Sequence, residues 1–198
     1  MVIAADGRGA STRCRFTGTG TLLEATGPEI RTERPAPALT VAFAPTKGDR
    51  PEWVVQKLTE LGVDTIVPIT TDRSVVHWEG QRGLRAAERL RRVAREAAAQ
   101  SRRVWLPEIA EPTSLSAWVG RCGGVAALAD PDGEPPDLDR PVVAVGPEGG
   151  WSDAERALGL AAVRLGDGVL RAETAAVVAG ALLCSLRASL VRPVGGPP

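Results

Sequence analysis

Lysine is nearly missing from this chain of 198 residues: Lys47 and Lys57 are its only two, and the other 22 basic groups are arginines. Histidine occurs once, at His77, so a histidine-based metal cluster or a Ser-His-Asp triad would hang on a single residue. Both are set aside, and no metal is expected. The three cysteines, Cys14, Cys122 and Cys184, form an odd count without close spacing. That pattern excludes a disulfide framework and any C-x-x-C zinc or redox signature. No run of about 18 apolar residues exists, and no apolar core of a signal peptide opens the chain, so it reads as soluble and cytoplasmic with no membrane partner. An excess charge is lacking too. Twenty-four acidic groups balance 24 basic ones, so overall basicity is not how this protein works, and any nucleic acid must be met by a local patch.

What is present suffices for one sizeable core and little more, with 43% hydrophobic residues and ordinary glycine and proline contents. Residues 1–37 are Gly/Thr-rich and weakly patterned, and Asp6-Gly7 is a hairpin signal between small β-strands too few to close a barrel or sandwich. Arg34-Pro35-Ala36-Pro37 marks a boundary. Beyond it the pattern alternates. Strands are expected at Leu39–Ala44, Val63–Ile69 (with a proline marking its end or an irregularity), Val104–Ile109, Gly124–Ala129, Val142–Gly146 and Ala162–Leu165. Helices are expected at Pro51–Leu61, Leu84–Gln100, Ser114–Val119, Ser152–Leu160 and Glu173–Leu190. Repeated β-then-α alternation with fully apolar strands predicts an α/β fold, a parallel sheet with helices on both faces. Trp53, Trp105 and Trp118 read as core, and His77 as a surface or packing residue.

Two strand-end loops carry the chemistry. In the first, the apolar run Val142–Val145 ends in Gly146-Pro147-Glu148-Gly149-Gly150-Trp151, followed by Ser152 and Glu155 in capping-box spacing, which fixes a helix start. Such a loop lies at the carboxyl end of a parallel strand, where open α/β sheets place ligands, and its glycines let backbone groups approach closely. It matches neither a Walker A loop nor G-x-G-x-x-G. In the second, Leu165-Gly166-Asp167-Gly168-Val169-Leu170 leads into Arg171, Glu173, Thr174 and Ala175. Glu173 and Thr174 could simply cap the following helix. Two such loops at neighbouring strand ends favour a composite pocket.

Gly146–Trp151 (GPEGGW), Leu165–Ala175 (LGDGVLRAETA) and Lys47–Val63 (KGDRPEWVVQKLTELGV), with Thr71-Asp72-Arg73-Ser74 and Gln100-Ser101, resemble the hallmark segments of RsmE-type 16S rRNA uridine-N3 methyltransferases. The resemblance spans residues 39–190. It implies the SPOUT class: an α/β domain whose C-terminal part threads a trefoil knot, binds S-adenosylmethionine there and works as a homodimer on 16S rRNA of the small ribosomal subunit, at the uridine the family modifies, position 1498. Knots are rare, and nothing in composition or periodicity indicates one. Carried onto this chain, the cofactor-binding candidates are Leu128, Gly146, Pro147, Glu148, Gly149, Gly150, Leu165, Gly166, Leu170, Arg171, Thr174 and Ala175. Uracil N3 must lose a proton, and these segments offer no His, Cys or Tyr. The catalytic candidates are Glu148 and Glu173, with Arg73 stabilising developing negative charge. Trp151 either packs under the glycine loop or makes a dimer contact.

RNA contact rests on a separate pattern. Eight arginines against two glutamates lie between Arg82 and Arg103, and Arg85, Arg89 and Arg92 share one helix face, with Leu84, Val93 and Ala97 turned to the core. A merely solvated helix in an arginine-rich protein is the alternative. The acidic run Asp130–Asp139 reads as a solvated loop away from the phosphate track. The family carries a PUA-like β-barrel before the catalytic domain, and Val2–Arg15 resembles its later strands. Residues 1–37 are therefore expected to be a partial barrel, 38–192 the SPOUT domain and 193–198 a flexible tail. Either the true start lies upstream or the chain is genuinely short. Gly168 stands where the family has a larger residue, and Arg102 where it has glycine. The alternatives to the leading activity are a catalytically weak RNA-binding or assembly factor and a SPOUT methyltransferase acting on another RNA.

Overall fold

A computed structural model describes residues 1–192 except Thr19, Thr21 and Gly123, so the expected tail 193–198 lies outside the described residues. The chain opens with four short strands, β1 (Val2–Ala5), β2 (Ala10–Phe16), β3 (Leu23–Ala25) and β4 (Ile30–Arg31), which form an antiparallel sheet around β2. The Asp6-Gly7 signal is where the chain reverses. The Asp6 carboxylate accepts hydrogen bonds from the Arg8 and Ala10 amides (2.7 and 3.0 Å), and the Arg8 amide is the main cause of an acidity stronger than usual.

A parallel sheet follows: β5 (Thr40–Phe43), α1 (Arg50–Leu61), β6 (Thr65–Thr70), α2 (Gly80–Gln100), β7 (Glu108–Ile109), β8 (Thr113–Ser114), α3 (Leu115–Val119), β9 (Ala126–Glu134), β10 (Val142–Val145), α4 (Asp153–Arg156), β11 (Ala161–Val163) and α5 (Ala172–Arg187). The spatial order is β11-β9-β10-β5-β6-β7, with β8 also against β6, and every pairing is parallel. Strand residues alternate between two cores. Val41, Phe43, Ile66, Val143 and Val145 face α1, α2 and α5, and Ala42, Val67, Ala144 and Leu128 face α3 and Trp151.

Local chemistry explains the bounds. Gly62 stops α1 in the left-handed region, φ 101°, as Pro51 in its first turn starts it. Pro68 does not end β6. It sits mid-strand without an N–H to give, and the neighbouring edge breaks there into β7, paired at Thr65–Ile66, and β8, paired at Ile69–Thr70. The strand expected over Val104–Ile109 shortens to β7 because Val104–Leu106 pairs with the N-terminal hairpin instead: the Gly9 amide donates to the Val104 carbonyl (2.9 Å) and the Leu106 amide to that of Gly7 (2.9 Å). The helix expected over Ser152–Leu160 is one turn, α4, ended before Gly159 at φ 72°.

Three side-chain expectations are corrected. Trp53 is exposed, Leu84 is 46% exposed, and Trp105 is half-buried in the joint between the sheets, its indole N–H donating to the Thr32 carbonyl (3.1 Å) beneath the Arg34 guanidinium. Helix α2 buries Gly83, Ala86, Ala87, Leu90, Ala94, Ala97 and Ala98 instead, a stripe narrow enough to let α1 approach closely. Trp118 is core, as expected, and His77 is exposed. Among the described residues no helix is long and apolar enough to cross a membrane.

Candidate active site

The middle of β9 and the carboxyl ends of β10 and β11 surround an open cavity of about 190 Å³. Its walls are Ala129–Pro131 within β9, Gly146–Glu148 and Gly150 after β10, and Leu165, Gly166, Gly168, Val169 and Leu170 between β11 and α5. Ala172 and Ala175 on the first turn of α5 complete it. The two glycine-bearing loops singled out from the sequence thus meet across one space. Apolar side chains and backbone dominate the lining, and Asp130, Glu148 and Arg156 are its charged groups.

The glycine loop is held from three sides. Beneath it the Trp151 indole, 3% exposed, donates to the Ala129 carbonyl (2.9 Å), tying the β10 loop to the β9 wall. A Cβ on Gly146 would lie 3.2 Å from that ring, so glycine is what lets the loop rest on the indole. Behind it the capping box closes both ways: the Glu155 amide donates to Ser152 Oγ, and Glu155 Oε2 accepts from the Ser152 amide (2.8 Å). The other Glu155 oxygen accepts the Asp72 amide (2.9 Å), and Ser152 Oγ donates to the Asp72 carboxylate. From above, the Arg73 guanidinium donates to the Gly149 carbonyl (2.8 Å). The turn after β6 is therefore a brace on the loop after β10, across β5 between them.

Of the cofactor-binding candidates, Gly146, Pro147, Glu148, Gly150, Leu165, Gly166, Leu170 and Ala175 line the cavity. Leu128 is buried in the core behind the wall, Gly149 turns towards Arg73, and Arg171 and Thr174 flank the start of α5 without lining the cavity. Of the catalytic candidates, Glu148 lines the cavity with its side chain 54% exposed. Glu173 lies at the start of α5, 12% exposed, with Oε2 buried and unpartnered. Arg73 acts on the loop backbone. Trp151 packs under the loop.

Several residues escaped sequence reading. Arg50, opening α1, faces both acids, 4.0 Å from Glu148 and 3.6 Å from Glu173. Asp130 corrects the expectation of a solvated acidic loop. It is 6% exposed, stands on β9 at the cavity wall and is ion-paired with Arg156. A lone aspartate opening an acidic, proline-rich run carries no local signal of burial; only its partner 26 residues on decides it. On α2, Arg85 and Arg92 are exposed, but Arg89 is ion-paired with Glu52 of α1, so the expected three-arginine face is committed in part to helix packing.

A model of the RNA methyltransferase domain matches residues 32–184, which contain the whole cavity. The chain belongs to the RNA methyltransferase family. It is 33% identical over 205 residues to the ribosomal RNA small subunit methyltransferase E of Synechocystis, covering 91% of this chain, and 35% identical over 160 residues to that of Mycobacterium bovis, covering 72% of this chain. It spans 64% and 61% of the lengths of those two relatives. The crystal structure of a ribosomal RNA small subunit methyltransferase E from Neisseria gonorrhoeae bound to S-adenosyl methionine superposes with a TM-score of 0.80 at 26% identity, over 93% of this chain and 82% of that one. The resemblance read from GPEGGW, LGDGVLRAETA and the α1 segment thus holds across nearly the whole chain.

Proposed function

We propose that this protein transfers a methyl group from S-adenosylmethionine to N3 of a uridine in 16S rRNA of the small ribosomal subunit. The observation that carries this reading is the convergence of the Gly146–Gly150 and Leu165–Ala175 loops on one cavity, at the carboxyl ends of two parallel strands that flank β9 rather than pair with each other as the sequence led one to expect. The names of the Synechocystis and Mycobacterium relatives and the donor held by the Neisseria structure support it.

The residues present fit the donor. Leu165, Leu170, Ala175 and Pro147 offer apolar surface for a purine, and backbone exposed by the glycines offers hydrogen bonds. A Cβ on Gly166 or Gly168 would meet no atom within 4 Å, so the space beside the cavity is free for a ligand. Bound there, S-adenosylmethionine supplies an electrophilic methyl on a sulfonium. The protein's part is to hold uracil N3 in line with that methyl and to accept the N3 proton as the new N–C bond would form and the methyl–sulfur bond break, the electron pair leaving on a neutral thioether. We assign the proton to the Glu148 carboxylate, the half-exposed one of the two acids on the cavity wall; the other, Asp130, is buried and ion-paired with Arg156. Arg50 positions Glu148 and Glu173, and Arg73 fixes the loop that carries Glu148 while offering positive charge to the uracil oxygens.

The same reading carries its wider expectations: residues 1–37 as part of a PUA-like barrel, 38–192 as a SPOUT domain with a trefoil knot, a homodimer, and action in the cytoplasm. β11 stays paired with β9 across a bulge. Pairing jumps from Leu128 opposite Ala162 to Glu134 opposite Val163, and Gly133 lies so close to β11 that a Cβ there would stand 2.5 Å from the Ala162 carbonyl carbon.

The test is incubation with small subunits lacking the modification and with methyl-labelled donor. Label should enter 16S rRNA at one uridine and block reverse transcription there. Label that persists after that uridine is replaced would overturn the assignment of the site in favour of another RNA position. Donor binding without transfer would overturn the activity in favour of a binding or assembly role.

A further inference from the structure

A second concavity, about 970 Å³ and larger than the first, runs between the outer face of the β1–β2 hairpin and the last turns of α2. Ile3, Ala5, Ser11 and Arg13 share the hairpin face that lines it, as the register Ile3↔Arg13 and Ala5↔Ser11 requires. Arg95 and Arg102 line the opposite wall. None of Arg13, Arg95 and Arg102 makes an ion pair among the described residues, whereas Arg89 and Arg91 of α2 are paired with Glu52 and Glu111. The acid at the groove, Asp6, is spent on the Arg8 and Ala10 amides. A neutral protein thus gathers uncompensated guanidinium groups along one channel. Arg92 and Arg85 extend the row along α2, where Arg85 to Gln100 covers about 22 Å of helix at 1.5 Å per residue, with Arg102 just beyond its end.

Arg102 adds an independent observation. It occupies the position just past the C-cap of α2 at φ 55°, where the Arg103 amide donates to the Ala98 carbonyl (2.9 Å) in a Schellman-type closure. Glycine suits this position and arginine is strained in it. The Arg102 side chain at this strained position is exposed at the lip of the groove.

We propose that this groove is a docking track for the phosphodiester backbone of RNA, with Arg13, Arg95 and Arg102 as its phosphate contacts. The proposal rests on the RNA-modifying reading above and adds to it where the RNA lies. Arginine forks match phosphate oxygens in bidentate geometry, and each phosphate neutralised contributes to the salt dependence of binding.

The experiment measures binding of the full chain to unmodified small subunits across a salt series, for the unaltered protein, the variant R102G and the triple variant R13A/R95A/R102A. Donor affinity and thermal unfolding are recorded for each. R102G is expected to raise the melting temperature while lowering RNA affinity several-fold. The triple variant is expected to lower affinity at least tenfold and to reduce the slope of log K against log salt by two to three, with donor affinity unchanged. An unchanged slope in the triple variant, with loss in R85A/R92A instead, would overturn the groove and leave the methyl-transfer reading intact. A chain that loses RNA through the triple variant yet transfers no methyl in its unaltered form would do the reverse. R102G that unfolds more easily with RNA affinity unchanged would also count against the proposal.

Discussion

Gly166 and Gly149 belong to the two loops that border the cavity and have opposite surroundings. A Cβ on Gly166 meets nothing, and one on Gly149 would sit 3.3 Å from Arg73 Cβ. Gly166→Val should therefore leave the melting temperature unchanged and fill ligand space, lowering donor affinity at least tenfold by calorimetry. Gly149→Val should act through Arg73, displacing the brace on the loop and weakening donor binding together with some loss of stability. Arg73→Ala removes one hydrogen bond from the arginine to the Gly149 carbonyl. It should lower transfer more than donor affinity if Arg73 also meets the uracil, which a comparison of kcat and KM would read. Burial, first of all, pushes the Cys184 thiol above its ordinary value of 9.0, with Arg187 and Arg103 opposing. Its thiolate is correspondingly scarce, and alkylation at pH 8 should be slower than for an exposed thiol. The raised value means that this group's contribution to stability is present below pH 9 and is lost as pH climbs through the folded-state value.

At the scale of elements, α1 and α5 meet where Gly180 faces Leu58. A Cβ there would lie 2.4 Å from Leu58 Cδ2, so Gly180→Val should destabilise the fold by about 1–3 kcal/mol in urea unfolding, the usual range for overpacking. At the opposite end of the sheet from the cavity, Asp64, 3% exposed, accepts the Leu39 amide (2.9 Å) and pairs with Arg187 and Arg34. Arg187 also donates to the Gly62 and Pro37 carbonyls, so it joins the end of α5 to the end of α1 and the entry to β5. Arg187→Ala leaves the buried Asp64 carboxylate with Arg34 as its remaining cationic partner and should cost about 3 kcal/mol, the low end for a broken buried pair and a fall of roughly 10 °C in melting temperature for a chain of this size. Activity of the fraction that remains folded should be unaffected, since the pair is remote from the cavity.

The whole molecule shows which levels of structure the sequence displays. Apolar strands and their helical connections were legible because Val41, Ile66 and Val143 belong to runs whose pattern is local. The capping box at Ser152 and Glu155 was legible for the same reason. Both strand-end loops were recognisable, and the cavity lies between them. Contacts between distant segments were not legible. Asp72 reaching Glu155, Arg50 facing Glu148 and Glu173, and Asp130 buried against Arg156 depend on the sheet order, which places β6 and β10 on either side of β5. Trp105 was misread because an apolar context does not distinguish a core from a joint between two sheets. The zero net charge likewise conceals how charge is placed, since acids committed to ion pairs inside the fold leave arginines free along one groove. On the proposed reading the cavity bordered by β9, β10 and β11 binds the methyl donor for transfer to rRNA. The most direct measurement is incorporation of labelled methyl into unmodified small subunits by the unaltered chain and by Gly166→Val side by side. Label is expected at a single uridine of 16S rRNA with the first and near-complete loss of it with the second, at equal folded protein. Label undiminished in Gly166→Val, or none with either protein, would contradict it.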